Sequence, residues 1–303
     1  MKVLNIGSLN FDRVYNVSHF VSPGETILAK NFGLFFGGKG LNQSIAIARA
    51  GAEVYHAGVI GEGGETLLHL MSDSGVNVSL VKKMPGETGH AIIQIDDTGE
   101  NNIIVYGGTN QLITPQYIDS VLKNFSVGDL LLLQNEISNV AYAISAAKKR
   151  GMTVAFNVSP ITESINGYPM DQVDCFIVNE VEGSFLSGLE DDGYEAILDQ
   201  LKKRYSASVV LTVGCNGAFY QNADLRMHVD IYDMPVVDTT AAGDTFCGYF
   251  IAGLAKGIDI EETLEYASAA SGIAVTQKGA SSSIPNWETV GKVVKAKLNH
   301  TDN

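Results

Sequence analysis

Short, mostly apolar runs recur along this 303-residue chain, each breaking abruptly into glycine or polar residues. Residues 3–6, 54–60, 129–134, 152–156, 174–178 and 209–213 read as buried strands, because near-continuous Val, Ile and Leu suit a sheet covered on both faces. Between them the period lengthens to that of a helix over 45–51, 65–74 and 140–150, the last two ending against Gly75 and Gly151. Farther on, Phe246, Tyr249, Phe250, Gly253 and Leu254 place a helix start near Ala242 or Gly243, and 261–277 reads as one more helix. Strands alternating with helices predict an α/β fold on a mainly parallel sheet.

Two stretches break this rhythm. Residues 13–36, interrupted by Ser22-Pro23-Gly24-Glu25, read as short strands, and residues 90–110 read as a hairpin turning at Asp97-Thr98-Gly99-Glu100. Both are expected to form a small flap outside the main sheet. No internal repeat or low-complexity linker divides the chain, so one domain over 1–300 is expected.

Polar residues gather where strands end, which in open parallel sheets is where ligands sit. Asn10 and Asp12 follow the first strand, and Glu136 follows the strand at 129–134; each is also consistent with a turn or a helix cap. Gly37-Gly38-Lys39-Gly40-Leu41-Asn42-Gln43 lets backbone approach a ligand and sets amide side chains beside a helix start. Gly33 to Lys39 nearly completes a phosphate-loop pattern, but Gly40 stands where Ser or Thr is needed, and that reading is rejected. Asn179 and Glu182 share the first turn of a helix, which fits water-mediated Mg²⁺ binding or a capping pair. Gly214-Cys215-Asn216-Gly217 is a compact turn, open to nucleotide phosphates or to a plain hairpin. In Asp238-Thr239-Thr240-Ala241-Ala242-Gly243-Asp244, small residues leave unpaired N–H groups at a helix N-terminus, a ready site for phosphate with Asp244 beside it.

Charge narrows the partners. With 20 Lys and Arg against 34 Asp and Glu the net charge is −14, which argues against broad nucleic-acid or anionic-membrane surfaces. Cys175, Cys215 and Cys247 lack metal-type spacing and fit free thiols in a reducing compartment, the cytoplasm by default. The first residues lack a signal-peptide core, and no stretch reaches the roughly 18 apolar residues of a membrane span.

The stretches 36–43 and 238–246 together resemble the two signature motifs of the ribokinase-like (PfkB) carbohydrate kinase family, and within it the ribokinase type. Gly7-Ser8-Leu9-Asn10-Phe11-Asp12, Pro23-Gly24-Glu25-Thr26, Asn179-x-x-Glu182 and Thr212-x-Gly214-x-x-Gly217 resemble further landmarks of that family in the same order, from residue 5 to about 285. The resemblance implies a three-layer α/β/α sandwich with a small β-sheet lid, and an enzyme that phosphorylates a sugar hydroxyl from ATP. It implies sugar contacts at Asn10, Asp12, Gly38, Lys39, Asn42, Glu136 and Asp244, and nucleotide contacts at Asn179, Thr212, Gly214, Gly217 and Gly243. Asp244 is implied as general base, with N–H groups of Ala241, Ala242 and Gly243 as an anion hole. Asn179 and Glu182 would hold Mg²⁺ through water. Oxygens of Asp238, Thr240, Ala274, Gln277, Gly279 and Ser283 would hold K⁺. Lid strands pair two subunits in such enzymes, so a homodimer is expected. The second motif is shared by fructose, deoxygluconate and nucleoside kinases and leaves the acceptor open.

Overall fold

The structure is a computed structural model that describes residues 1–189 and 193–301. Its strands are β1 (Val3–Ile6), β2 (Asn10–Asn16), β3 (Asn31–Gly37), β4 (Val54–Ala57), β5 (Val59–Glu62), β6 (Lys82–Glu87), β7 (Gly89–Ile95), β8 (Asn101–Tyr106), β9 (Leu130–Gln134), β10 (Thr153–Asn157), β11 (Cys175–Asn179), β12 (Ser208–Thr212), β13 (Ala218–Gln221) and β14 (Arg226–Val229). Its α-helices are α1 (Lys39–Arg49), α2 (Glu65–Asp73), α3 (Pro115–Leu122), α4 (Val140–Lys149), α5 (Glu180–Ser187), α6 (Gly193–Arg204), α7 (Ala242–Lys256), α8 (Ile260–Ala274) and α9 (Trp287–Thr301).

The central sheet runs β14-β13-β12-β11-β10-β9-β1-β4, parallel from β12 to β4 and closed at the other edge by the antiparallel hairpin of β13 and β14. Side chains alternate across it, as strand geometry requires. Val3, Leu130, Leu132, Ala155, Ile177 and Val210 face one core with α1, α2, α7, α8 and α9. Leu4, Ile6, Leu131, Leu133, Phe156 and Leu211 face the other with α3, α4, α5 and α6. This is the expected three-layer sandwich, and its strands are apolar throughout because both faces are covered.

The flap is a second sheet, β3-β2-β7-β8, in which β2 pairs parallel with β7 and antiparallel with β3. One consequence reaches the ligand candidates: Asn10 and Asp12 do not sit in a turn but open strand β2, so they belong to the flap. The flap also leaves Phe32, Leu34, Ile103, Ile104 and Val105 more than half exposed. Two other expectations are corrected. The run at 54–60 is two strands in different sheets, divided at Gly58, where a Cβ would meet Gly7 O at 2.9 Å. The helix expected over 45–51 begins at Lys39, which brings Asn42 and Gln43 into its first turns. Among the described residues no helix is long and apolar enough to cross a membrane. Cys175, Cys215 and Cys247 are free, the first and last of them buried.

Helices α1 and α7 pack face to face through small residues. A Cβ at Gly248 would lie 2.3 Å from Ala46 Cβ and 2.9 Å from Gln43 O, so the glycine sets how closely the two axes approach. Overpacking of this kind costs about 1–3 kcal/mol. Gly248→Ala should therefore lower the urea-unfolding free energy by that amount, and an unchanged midpoint would show that the helices separate freely.

Candidate active site

The parallel strands end in register. Gln134 of β9 pairs with Asn157 of β10, and Asn179 of β11 with Thr212 of β12, so polar side chains line one carboxyl edge of the sheet. Two helices start above this edge. Helix α1 starts after Gly38, whose φ of 90° is a left-handed value that glycine adopts without strain. Helix α7 starts after Ala241, which holds φ of 62° without being glycine, and no side chain caps it. Strained backbone of this sort costs of order 1–3 kcal/mol and persists where the surroundings impose it. A Cβ at Gly243 would meet nothing within 4 Å, so the first turn of α7 faces open space, whereas the Ala242 N–H turns back to Thr239 O at 3.2 Å.

Asp244, in that first turn, is only 9% exposed, yet among the described residues no cation pairs with its carboxylate at hydrogen-bond distance. Both oxygens accept from neutral amides of α1: Oδ2 from Asn42 Nδ2 and Oδ1 from Gln43 Nε2, each at 2.9 Å. The Asn42 Oδ1 atom is buried without a partner, an acceptor left for a hydroxyl donor.

Glu136 does not cap the helix that follows it, contrary to one of its two sequence readings. It accepts from the backbone N–H of Lys39 at 3.0 Å and from Ser8 Oγ, and so closes the start of α1, where the helix dipole favours a carboxylate. Asp12 lies against Gly37, where a Cβ would fall 2.0 Å from Oδ2. Burial, with the nearby charges of Glu136 and Asp244, pushes the Asp12 carboxyl up to about 7. Burial likewise raises Glu136, against the opposing pull of Lys39 and its hydrogen bonds. Burial alone would lower Lys39, but the charges of Asp244, Glu136 and Glu182 outweigh it and hold the ammonium above its usual range. The site is thus a negative cluster around one lysine.

Asn10 is buried and fixed by Asn110, whose Nδ2 donates to Asn10 Oδ1 at 2.7 Å while its Oδ1 takes the Leu9 N–H at 3.0 Å. Asn179 and Glu182 form a reciprocal capping box, each accepting from the other's backbone N–H at 2.9 Å. The cap reading therefore holds, and Glu182 is close enough to act on Lys39. Thr212 precedes a 3-10 turn, Gly214–Asn216, with left-handed φ at Gly214 and Gly217, and the chain then returns as the β12–β13 hairpin. Asp238 joins the loop before α7 to the one after α8: its Oδ1 accepts from Thr240 N and Oγ1, and its Oδ2 from Gly279 N at 2.9 Å. Gln277 N donates to Ala274 O at 3.3 Å, and Ser283 Oγ to Ala280 O at 2.9 Å. The donor set there is hydroxyl, carboxylate and backbone oxygen, which suits a hard cation.

Ser8, Gln43 and Asn110 hydrogen-bond to the candidate contacts Glu136, Asp244 and Asn10, and Asn157 reaches them through Gln43; none of the four is among the candidate site residues of the sequence. Their signal was weak: Gln43 stood inside the first motif, and the others were ordinary polar residues near glycine or proline.

Comparison with known proteins agrees with this geometry. Residues 1–287 match the family described as pfkB family carbohydrate kinase. The chain is 32% identical over 288 residues to a ribokinase of Haemophilus influenzae, covering 92% of this chain and 94% of that one. It is 29% identical over 296 residues to a deoxyribokinase of Salmonella typhi, covering 95% and 97%. A solved Arabidopsis thaliana ribokinase, complexed with ribose and ATP, matches with a TM-score of 0.88 at 30% identity across 97% of this chain and 98% of that one. The match takes in the central sheet, the flap and both helix starts, and the chain belongs to the pfkB family of carbohydrate kinases.

Proposed function

We propose that this carbohydrate kinase transfers the γ-phosphoryl group of ATP to the primary hydroxyl of a pentose, with Asp244 as general base. The observation that carries this reading is the Asp244 carboxylate, held by two neutral amides at the open start of α7. The relatives described as ribokinase, and the neighbour complexed with ribose and ATP, support the acceptor. Asp244 takes the hydroxyl proton as the sugar oxygen attacks the γ-phosphorus; the bond to the bridging oxygen breaks and ADP leaves. The protein supplies position and charge stabilisation. N–H groups at Ala241 and Gly243 face the transferred group, and that of Ala242 joins them only by leaving Thr239 O, to which it is bonded at 3.2 Å; a donor of this kind is worth about 3 kcal/mol of barrier elsewhere.

Asn10, Asp12, Gly38, Lys39, Asn42 and Glu136 grip the sugar, Asp12 and Asn10 from the flap and the others from the start of α1. Asn179, Thr212, Gly214 and Gly217 border the nucleotide. Asn179 and Glu182 would hold Mg²⁺ through water, and the ion would supply charge neutralisation to the phosphates. Oxygens of Asp238, Thr240, Ala274, Gln277, Gly279 and Ser283 would hold K⁺ next to the anion-binding loop. The exposed apolar flap strands pair with a second copy of the chain, which sedimentation at twice the chain mass tests.

Coupled ADP release should be fastest with ribose or deoxyribose in a panel of pentoses, hexoses and nucleosides; preference for a nucleoside overturns the acceptor. Asp244→Asn should lose at least about 10²-fold in kcat while still binding sugar, the range expected for a general base. More than about a tenth of the rate retained removes that role. K⁺ should stimulate over Na⁺ at equal ionic strength, and equal rates defeat the cation site.

Asp12 also makes the unliganded protein pH-sensitive. Its carboxyl ionises near 3.8 when unfolded and about 7 when folded, so between these values the folded state holds a proton the unfolded state lacks, and stability falls as pH rises through this window. Asp12→Asn should stabilise the sugar-free protein little at pH 4 and by about 2 kcal/mol at pH 8, with about 4 kcal/mol as the ceiling set by 1.36 kcal/mol per unit. Equal gains at both pH values in urea unfolding would place the effect elsewhere.

A further inference from the structure

From Asp244 a chain of polar side chains, Gln43, Gln134, Asn5, Ser44 and His56, each 1% exposed or less, runs through the core beneath α1, where apolar residues would pack at lower risk. Gln43 Nε2 donates to Asp244 Oδ1 at 2.9 Å and to Asn157 Oδ1 at 3.0 Å, and Gln43 Oε1 accepts from Gln134 Nε2 at 2.7 Å. Gln134 Nε2 also donates to Asn5 Oδ1 at 3.0 Å. Asn5 Nδ2 donates to Gly40 O at 2.9 Å and Ser44 Oγ at 2.8 Å, and Ser44 Oγ meets His56 Nδ1 at 2.8 Å.

The orientation of each amide is forced. Asn157 Nδ2 is spent on Ile177 O at 2.9 Å, so its oxygen faces Gln43. Asn5 Nδ2 is spent on Gly40 O, so its oxygen faces Gln134 and leaves the Gln134 N–H groups to face Gln43. Flipping Gln43 would set its oxygen against those of Asp244 and Asn157 and its nitrogen against that of Gln134. The last member, His56, stays neutral because burial lowers it to about 3. No charge in the chain competes with Asp244.

We propose that Gln43 is a positioning residue: anchored through Gln134 and Asn157, it fixes the Asp244 carboxylate by one oxygen so that the other is aimed at the sugar hydroxyl. This rests on Asp244 being the base. Gln43 is fully buried behind Asp244, so its effect falls on kcat rather than on sugar affinity.

The test measures kcat, sugar KM and sugar binding by calorimetry for Gln43→Met and Gln43→Glu, and for Gln43→Met combined with Asp244→Asn. Gln43→Met should lose at least tenfold in kcat with sugar KM and Kd within threefold, and should cause no further loss in the Asp244→Asn background. In Gln43→Glu the new carboxyl lies against Asp244, within the field of Asp12, Glu136, Glu182 and Lys39. It can donate to Asp244 only when protonated, so its rate relative to the parent should rise between pH 8 and pH 6. A kcat within twofold of the parent for Gln43→Met, a further tenfold loss in the double variant, or a pH-independent ratio for Gln43→Glu overturns the proposal. If Gln43→Met does not fold, the pH ratio of Gln43→Glu decides. An active Asp244→Asn instead removes the base, a separate failure.

Discussion

The site depends on one interaction across 200 residues of chain: the carboxylate of Asp244, at the start of α7, received by the amides of Asn42 and Gln43 in the first turns of α1. It forms only if both helices start at the same edge of the sheet and lie close together, and the small residues at their contact meet that demand. Neutral donors hold the carboxylate without neutralising it.

The same economy of cations governs the rest of the site. Asp244, Glu136 and Glu182 act on one ammonium, Lys39, and burial together with the charges of Glu136 and Asp244 raises the ionisation of Asp12. Such a cleft suits an uncharged polyol, whose hydroxyls donate to carboxylates. Because Asp12 stands on a flap strand while Glu136 and Asp244 stand on the sandwich, the electrostatic conflict lies between the two sheets.

Much of this was legible in the chain. Continuous apolar strands of the β9 and β12 kind predicted a sheet covered on both faces, and the small-residue run ahead of Phe246 predicted a helix N-terminus with a carboxylate in its first turn. The boundaries that failed did so for long-range reasons. Gly58 divides β4 from β5 because the backbone of Gly7 passes against it, and α1 extends back to Lys39 because Glu136, two residues past β9, caps a helix start that has no local cap.

Local pattern by itself determined the α/β alternation, the flap segments and the residue types at each strand end, since period and turn chemistry are properties of neighbours in the chain. Asn5, His56 and Gln134 were visible only as polar intrusions in buried strands, with no indication of their partners. Which amide faces which, that Glu136 closes α1, that Asn179 and Glu182 complete a cap and that Gln43 reaches Asp244 were decided by tertiary structure alone. Hydrogen bonds between buried side chains depend on directions set by distant backbone, and those directions exist only once the sheet and both helix layers are assembled.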